Sequence, residues 1–314
     1  MIADGSFFFL KRVETSLWIA LIYFNMKYKT AYEQMYYIRN GQKHCLMRNI
    51  LSLTLLFIAI AIKSQNYNSI CQKGIGFIKE NDYAQAVECF KEAVACSSGN
   101  GEKIYALANL AYSFQMLGEL PSALEEYDKA LTIAPDELTL LQQRANIYLQ
   151  LDNMECALDD YNRLLTHEPS NTGALLCRAH IYTNTGMYKK AWEDYKQLQY
   201  WLPDNLSVQL GIAMLYQKEK RYDESMMVLS AMIEQNPHIA ELYIARSNLE
   251  RERGHNELAM MDLEKAIGID PGNANNYILQ AIIYEKMGKN DAARKCREKA
   301  ASLGAAAGIV PVKN

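Results

Sequence analysis

Four stretches decide how this chain folds: Tyr127–Glu137, YDKALTIAPDE; Tyr161–Asn171, YNRLLTHEPSN; Tyr195–Asn205, YKQLQYWLPDN; and Leu263–Asn273, LEKAIGIDPGN. Each ends an apolar, helix-patterned run at a proline followed by small polar residues. The prolines of the series, Pro135, Pro169, Pro203, Pro237 and Pro271, are spaced by 34 residues throughout. A fixed period in the range of about 20–50 residues signals a stack of one supersecondary unit, so the repeat frame is read before anything else.

Counting Pro135 as position 32 of its repeat places every other residue. Position 8 is Gly74, Ala111, Ala145, Ala179, Ala213, Ser247 and Ala281. Position 20 is Ala86, Ala123, Ala157, Ala191, Ser225, Ala259 and Ala293. All are small, as expected where the two helices of a hairpin cross and a larger side chain would hold them apart. Position 11 carries Phe77, Phe114, Tyr148, Tyr182, Tyr216, Glu250 and Tyr284, and position 24 begins Phe90, Tyr127, Tyr161 and Tyr195. Position 15 holds Gly118, Gly186, Gly254 and Gly288, with Asn81, Asp152 and Lys220 in the other repeats. There a left-handed cap ends the first helix. Asp and Asn beside the prolines are placed to cap the next helix.

This pattern resembles the tetratricopeptide repeat family, which has small residues at positions 8 and 20, aromatics at 11 and 24 and proline at 32. The resemblance implies an all-α, right-handed solenoid of seven tandem helix–turn–helix repeats, at 67–100, 104–137, 138–171, 172–205, 206–239, 240–273 and 274–307. The array spans 67–307, with an insertion at 101–103 and a tail at 308–314. Repeats one and seven lack the proline, having Ser98 and Ala305 there, as terminal repeats do. Charged residues such as Arg294, Lys295 and Glu298 give the last helix the polar outer face that ends a solenoid in water.

One covariation is visible inside the chain. Where position 7 is arginine (Arg144, Arg178, Arg246), position 23 is aspartate (Asp160, Asp194, Asp262). In the fifth repeat both are apolar, Ile212 and Val228. The partners are 16 residues apart on the two arms of one hairpin, which suits a bidentate guanidinium–carboxylate pair with a structural role.

The N-terminal region reads differently. MRNILSLTLLFIAIAIKSQ, Met47–Gln65, has a short basic start, an apolar run over Ile50–Ile62 and the small Ser64. Thirteen residues fall short of the ~20 needed to span a bilayer. The pattern is that of a secretory signal peptide over 47–64, with residues 1–46 an over-extended start and translation beginning at Met47. The chain is then exported, to a periplasm or outside the cell. In the alternative, Ile50–Ile62 stays as a membrane anchor of an envelope assembly factor.

Residues 65–314 carry 25 basic and 33 acidic side chains, net −8. An acidic body without a basic stripe excludes nucleic acid as the expected partner. Chemistry is not expected either. Cys45, Cys71, Cys89, Cys96, Cys156, Cys177 and Cys296 form no CxxC, and the five histidines show no HxxxH or HExxH spacing. Cys89 and Cys96 would lie roughly 10 Å apart along one helix, too far for a disulfide. The cysteines read as small core residues, with a thiol- or metal-dependent protein as the lesser alternative. The expectation is therefore a protein that is no enzyme, with no catalytic residue, metal or cofactor.

By resemblance, the first helix of each repeat lines a concave surface that holds a peptide or protein, with positions 2, 5, 9 and 12 facing inward. These give Tyr105, Tyr112 and Gln115 in the second repeat and Gln142 and Asn146 in the third. Leu176, His180 and Thr183 follow in the fourth, Met214 and Gln217 in the fifth, and Asn248 and Arg251 in the sixth. Asn146 and Asn248, at position 9, are implied to bond a bound peptide backbone. The family's clamp for a chaperone tail needs lysine at position 5. Gln142 and Ile244 stand there, so that ligand is not expected.

Overall fold

The computed structural model describes residues 43–304, which form fourteen α-helices and no strand. The extension at 1–46, apart from its last four residues, and the tail at 308–314 lie outside the described residues. The helices fall into seven antiparallel pairs: α1 (Lys43–Lys79) with α2 (Tyr83–Cys96), α3 (Asn100–Met116) with α4 (Leu120–Ile133), and α5 (Leu138–Gln150) with α6 (Met154–His167). Next come α7 (Thr172–Asn184) with α8 (Tyr188–Trp201) and α9 (Leu206–Lys218) with α10 (Tyr222–Gln235). Last are α11 (Ala240–Glu252) with α12 (Asn256–Ile269) and α13 (Ala274–Lys286) with α14 (Asn290–Ser302). Each helix packs on the one before and the one after it, so the chain is a solenoid whose core is a ribbon.

The turns follow from backbone chemistry. Within all seven pairs, the residue at position 15 has positive φ: Gly118, Gly186, Gly254 and Gly288 at 74–85°, and Asn81, Asp152 and Lys220 at 56–61°. Between pairs, proline removes an N–H and disfavours a helical residue before it. The prolines' own carbonyls accept from the next helix: Gln209 donates to Pro203 O at 2.9 Å, and Tyr243 and Tyr277 donate to Pro237 O and Pro271 O at 3.1 Å. Asn171, Asn205 and Asn273 cap α7, α9 and α13 through their side chains. Asp136 does not cap; it takes Arg163 at 3.1 Å, while Arg163 also donates to Pro135 O.

Close crossing accounts for the small residues. Ala111, Ala123, Ala145, Ala157 and Ala179 are wholly buried. A Cβ on Gly74 would come within 2.8 Å of the Phe90 ring. Where serine replaces alanine, its hydroxyl bonds the facing helix: Ser225 to Ala213 O at 2.8 Å and Ser247 to Ala259 O at 2.6 Å. A polar group at a tight crossing is thereby satisfied, which burial demands.

The apolar run at Ile50–Ile62 is helical and continues without a break into the first array helix, since α1 runs from Lys43 to Lys79. Leu51, Leu53, Leu55 and Leu56 are exposed, whereas Tyr67 is buried and donates to Glu102 O at 2.6 Å. No helix among the described residues is long and apolar enough to cross a membrane.

Candidate partner-binding groove

Residues 5, 9 and 12 of a repeat share one side of the first helix, at 100° per residue, while position 8 points to the partner helix. None of Tyr105, Tyr112, Gln142, Asn146, His180, Met214, Asn248 and Arg251 is buried. Neighbouring first helices run side by side here: a Cβ on Gly173 in α7 would lie 3.8 Å from Nε2 of Gln142 in α5.

The groove residues differ in how engaged they already are. Tyr112 stands edge-on to Tyr83, with centroids 6.4 Å apart. Tyr105 packs on the first repeat's core, and burial raises its phenol pKa. Asn146 accepts the hydroxyl of buried Tyr161 at 2.6 Å, so its carbonyl is already engaged by the fold, whereas its amide NH₂ has no partner among the described residues. His180 is reached by solvent and meets Asn184 at 3.4 Å; the surrounding protein disfavours its charged form and lowers its pKa. Thr183 corrects the expectation for its position: it is buried and donates to Ala179 O at 2.8 Å, so it does not face the groove. Gln217 is held by Glu252, which also receives Tyr222. In α11, Asn248 and Arg251 are different. Neither makes a side-chain hydrogen bond or ion pair among the described residues, and at i, i+3 they share one face.

The three arginine–aspartate sets lie on the other side of the same helices. Arg144 Nε and Nη2 donate to Asp160 at 2.8 and 2.6 Å, Arg178 to Asp194 at 2.9 and 2.7 Å, and Arg246 to Asp262 at 2.8 and 2.7 Å. The free Nη1 reaches back to the preceding repeat, to Asp128 at 2.6 Å, Asn162 at 2.9 Å and Ser230 at 3.2 Å. Each guanidinium thus ties three helices. Bonding to the aspartate comes first among the causes that raise the arginine pKa against the opposing effect of burial. The repeat-spanning acceptors, all at position 25, were missed in the sequence although a spacing of 16 points both ways from each arginine. In the seventh repeat Gln280 and Cys296 take the paired places, with Sγ 3.2 Å from the amide oxygen.

Cys71, Cys89 and Cys296 are buried free thiols, and burial leads in raising each pKa, Cys71 to about 11. That keeps them protonated and poorly nucleophilic. No group of three or more His, Cys, Asp or Glu side chains among the described residues is gathered as a metal site needs.

Taken together, stacked helix pairs with closely packed small residues define a helical-repeat scaffold. The chain belongs to the tetratricopeptide repeat family. It is 30% identical to a tetratricopeptide repeat protein of Parabacteroides merdae of known crystal structure, with a TM-score of 0.73 over 78% of this chain and 96% of that one. Family models described as tetratricopeptide repeat match residues 71–137, 240–273 and 274–303. PilF of Pseudomonas aeruginosa is 19% identical, with a TM-score of 0.52 over 70% of this chain and 98% of that one, and shares the fold alone. Among curated relatives, the photosystem I assembly protein Ycf3 of Synechococcus sp. (strain CC9605) is 27% identical over 96 residues, 31% of this chain. The matched stretch spans 56% of that relative's length.

Proposed function

We propose that this chain is a non-enzymatic scaffold that holds a peptide or protein segment against the inner face of its first helices. Tetratricopeptide repeat proteins generally bind proteins or peptides, and the observation that carries the reading here is the Asn248–Arg251 pair. Both are polar, accessible and uncommitted within the fold, on the helix face that points into the groove. An amide and a guanidinium three residues apart suit a backbone carbonyl and a carboxylate of one extended segment. The test is affinity capture from an extract of the source cells, comparing the wild-type chain with Asn248→Ala/Arg251→Ala. The reading expects retained proteins to drop out with the variant; an identical retained set rejects it. Asn146→Ala is the poorer probe, because it would also strand the Tyr161 hydroxyl.

The export reading is proposed alongside. The exposed Leu51, Leu53, Leu55 and Leu56 of α1 lie ahead of the buried Tyr67 and support a leader removed near Gln65. N-terminal sequencing of the purified protein checks it. A terminus near Gln65 is expected, and an intact Met47–Ser64 segment favours the anchor instead.

A further inference from the structure

Among the described second helices, only α8, α10 and α12 expose large apolar side chains: Tyr200 and Trp201, then Met227, then Leu258, Met261 and Ile269. Tyr200 is 84% exposed, Met227 68% and Met261 64%. The sequence changes character at the same place. Position 22 is acidic in repeats one to four (Glu88, Glu125, Asp159, Glu193) and lysine in repeat seven (Lys295), but methionine in repeats five and six. Exposed apolar groups on consecutive elements mark an interaction surface, and aromatic residues and methionine are the types enriched there.

At 100° per residue, positions 18, 22, 25 and 29 fall within about 60° of one another, opposite position 20. Position 20 is the buried crossing point, Ala191, Ser225 and Ala259 in these repeats, so the four others form the outer face. Arg246 holds α10 and α12 side by side, donating to Ser230 at 3.2 Å and to Asp262 at 2.8 and 2.7 Å. On this outer face the charges are sorted by repeat. Positions 18 and 25 are Lys189 and Lys196 in repeat four, and Glu257 and Glu264 in repeat six. All four are exposed, and none makes an ion pair among the described residues. Between them stands Met227, at position 22 of repeat five.

We propose that this face binds a second copy of the chain, about a twofold axis that runs along α10 in the plane of the face. Such an axis keeps each repeat position over the same position and reverses the order of the repeats. Repeat four of one copy then covers repeat six of the other, and the contact is self-complementary. Lys189 meets Glu257 and Lys196 meets Glu264, twice in each dimer. Tyr200 comes over Gly268, where a Cβ would find nothing within 4 Å, and Trp201 comes over Ile269. Met227 meets Met227 on the axis. Elsewhere Lys190 lies over Leu258, Glu193 over Met261 and Gln197 over Lys265, so no charge of repeat four meets its own sign in repeat six. Asp223 and Glu234 do meet their own copies. Arg253 offsets Asp223 at 3.3 Å, and Glu234 is exposed, where salt screens the repulsion. Lysine on one side of Met227 and glutamate at the same positions on the other match this chain's own face, which is why a second copy is the occupant. The inner face of the first helices stays open, so the contact does not depend on the groove.

The test is sedimentation velocity of the full chain over a range of concentrations, with variants of exposed side chains that keep wild-type helical circular dichroism. A monomer–dimer equilibrium is expected for the wild type. Met227→Glu, which copies position 22 of repeats one, two and four, should weaken association by about tenfold or more, because two carboxylates then meet on the axis. Lys189→Glu/Lys196→Glu and Glu257→Lys/Glu264→Lys should each be monomeric alone. An equimolar mixture of those two should dimerise again, since opposite charges then face each other at both ends of the contact. The proposal is overturned by a wild type that stays monomeric throughout, by Met227→Glu dimerising as the wild type does, or by a mixture that remains monomeric. Association that persists unchanged in all the variants would place the contact elsewhere and equally overturn it.

Discussion

Between repeats three and four, Arg178 binds Asp194 twice and Asn162 once, joining α6, α7 and α8 through one guanidinium. Between repeats four and five, Ile212 and Val228 stand where such a pair would be, and the Tyr195 ring presses onto Gly211 instead. One is fixed by directional bonds with few acceptable arrangements, the other by apolar contact that any well-shaped side chain can supply. A buried ion pair costs desolvation that its attraction barely offsets, so it specifies register more than it adds stability. The array uses the ion pair in repeats three, four and six and apolar contact in repeat five.

The largest effect that can break this comparison is removal of one partner. Asp194 is 3% exposed, so Arg178→Ala leaves a carboxylate buried without its guanidinium. A loss of about 3–5 kcal/mol is expected for breaking such a pair, read as a lowered urea midpoint at unchanged slope. The sharper experiment transplants the other solution. Arg178→Ile with Asp194→Val copies the fifth repeat into the fourth and should lie within about 2 kcal/mol of wild type, because replacing both partners by apolar groups is often neutral or better. A double variant as unstable as the single would mean that the pair contributes net stability after all.

The next effect lies at the apolar junction. A Cβ at Gly211 would sit 2.5 Å from the Tyr195 hydroxyl oxygen and 2.7 Å from its ring carbons. Alanine favours a helix by about 0.8–1 kcal/mol over glycine. Overpacking against a ring fixed in a full core costs about 1–3 kcal/mol, and the ring cannot swing aside as a flexible chain end would. Gly211→Ala should therefore destabilise, by thermal melting, despite its helix preference. A stabilised variant would show that this junction yields.

Much of this is legible in the amino-acid sequence. The 34-residue period, the small residues at 8 and 20 and the turn residues at 15 specify helix pairs because each follows from local chemistry repeated many times. The arginine–aspartate sets showed themselves because two positions changed together within one chain. What stayed hidden depends on who neighbours whom across repeats. Asp128, Asn162 and Ser230 share no side-chain type, so their common role as acceptors leaves no pattern to read. Thr183 fits the groove spacing, yet its hydroxyl turns back onto α7.

The smallest predicted effect separates turn chemistry from both kinds of junction. Lys220 holds φ of 61° at the place where four of the seven repeats have glycine. A left-handed backbone costs a side-chain-bearing residue roughly 1–2 kcal/mol, a strain glycine escapes. Glycine in turn gives the unfolded chain more freedom, which returns about 0.4–1 kcal/mol of the gain. Lys220→Gly should thus stabilise by up to about 1 kcal/mol, raising the melting temperature slightly. Asp152→Gly should gain less, because short polar side chains already tolerate this conformation. Lys220 packs into neither neighbouring core, so the gain should be the same in the wild type and in the Arg178→Ile/Asp194→Val background, as for independent sites. A gain that differs between the two would mean that the turn after α9 and the Arg178–Asp194 tie between repeats three and four move together, and the separation drawn between local turns and inter-repeat ties would fail.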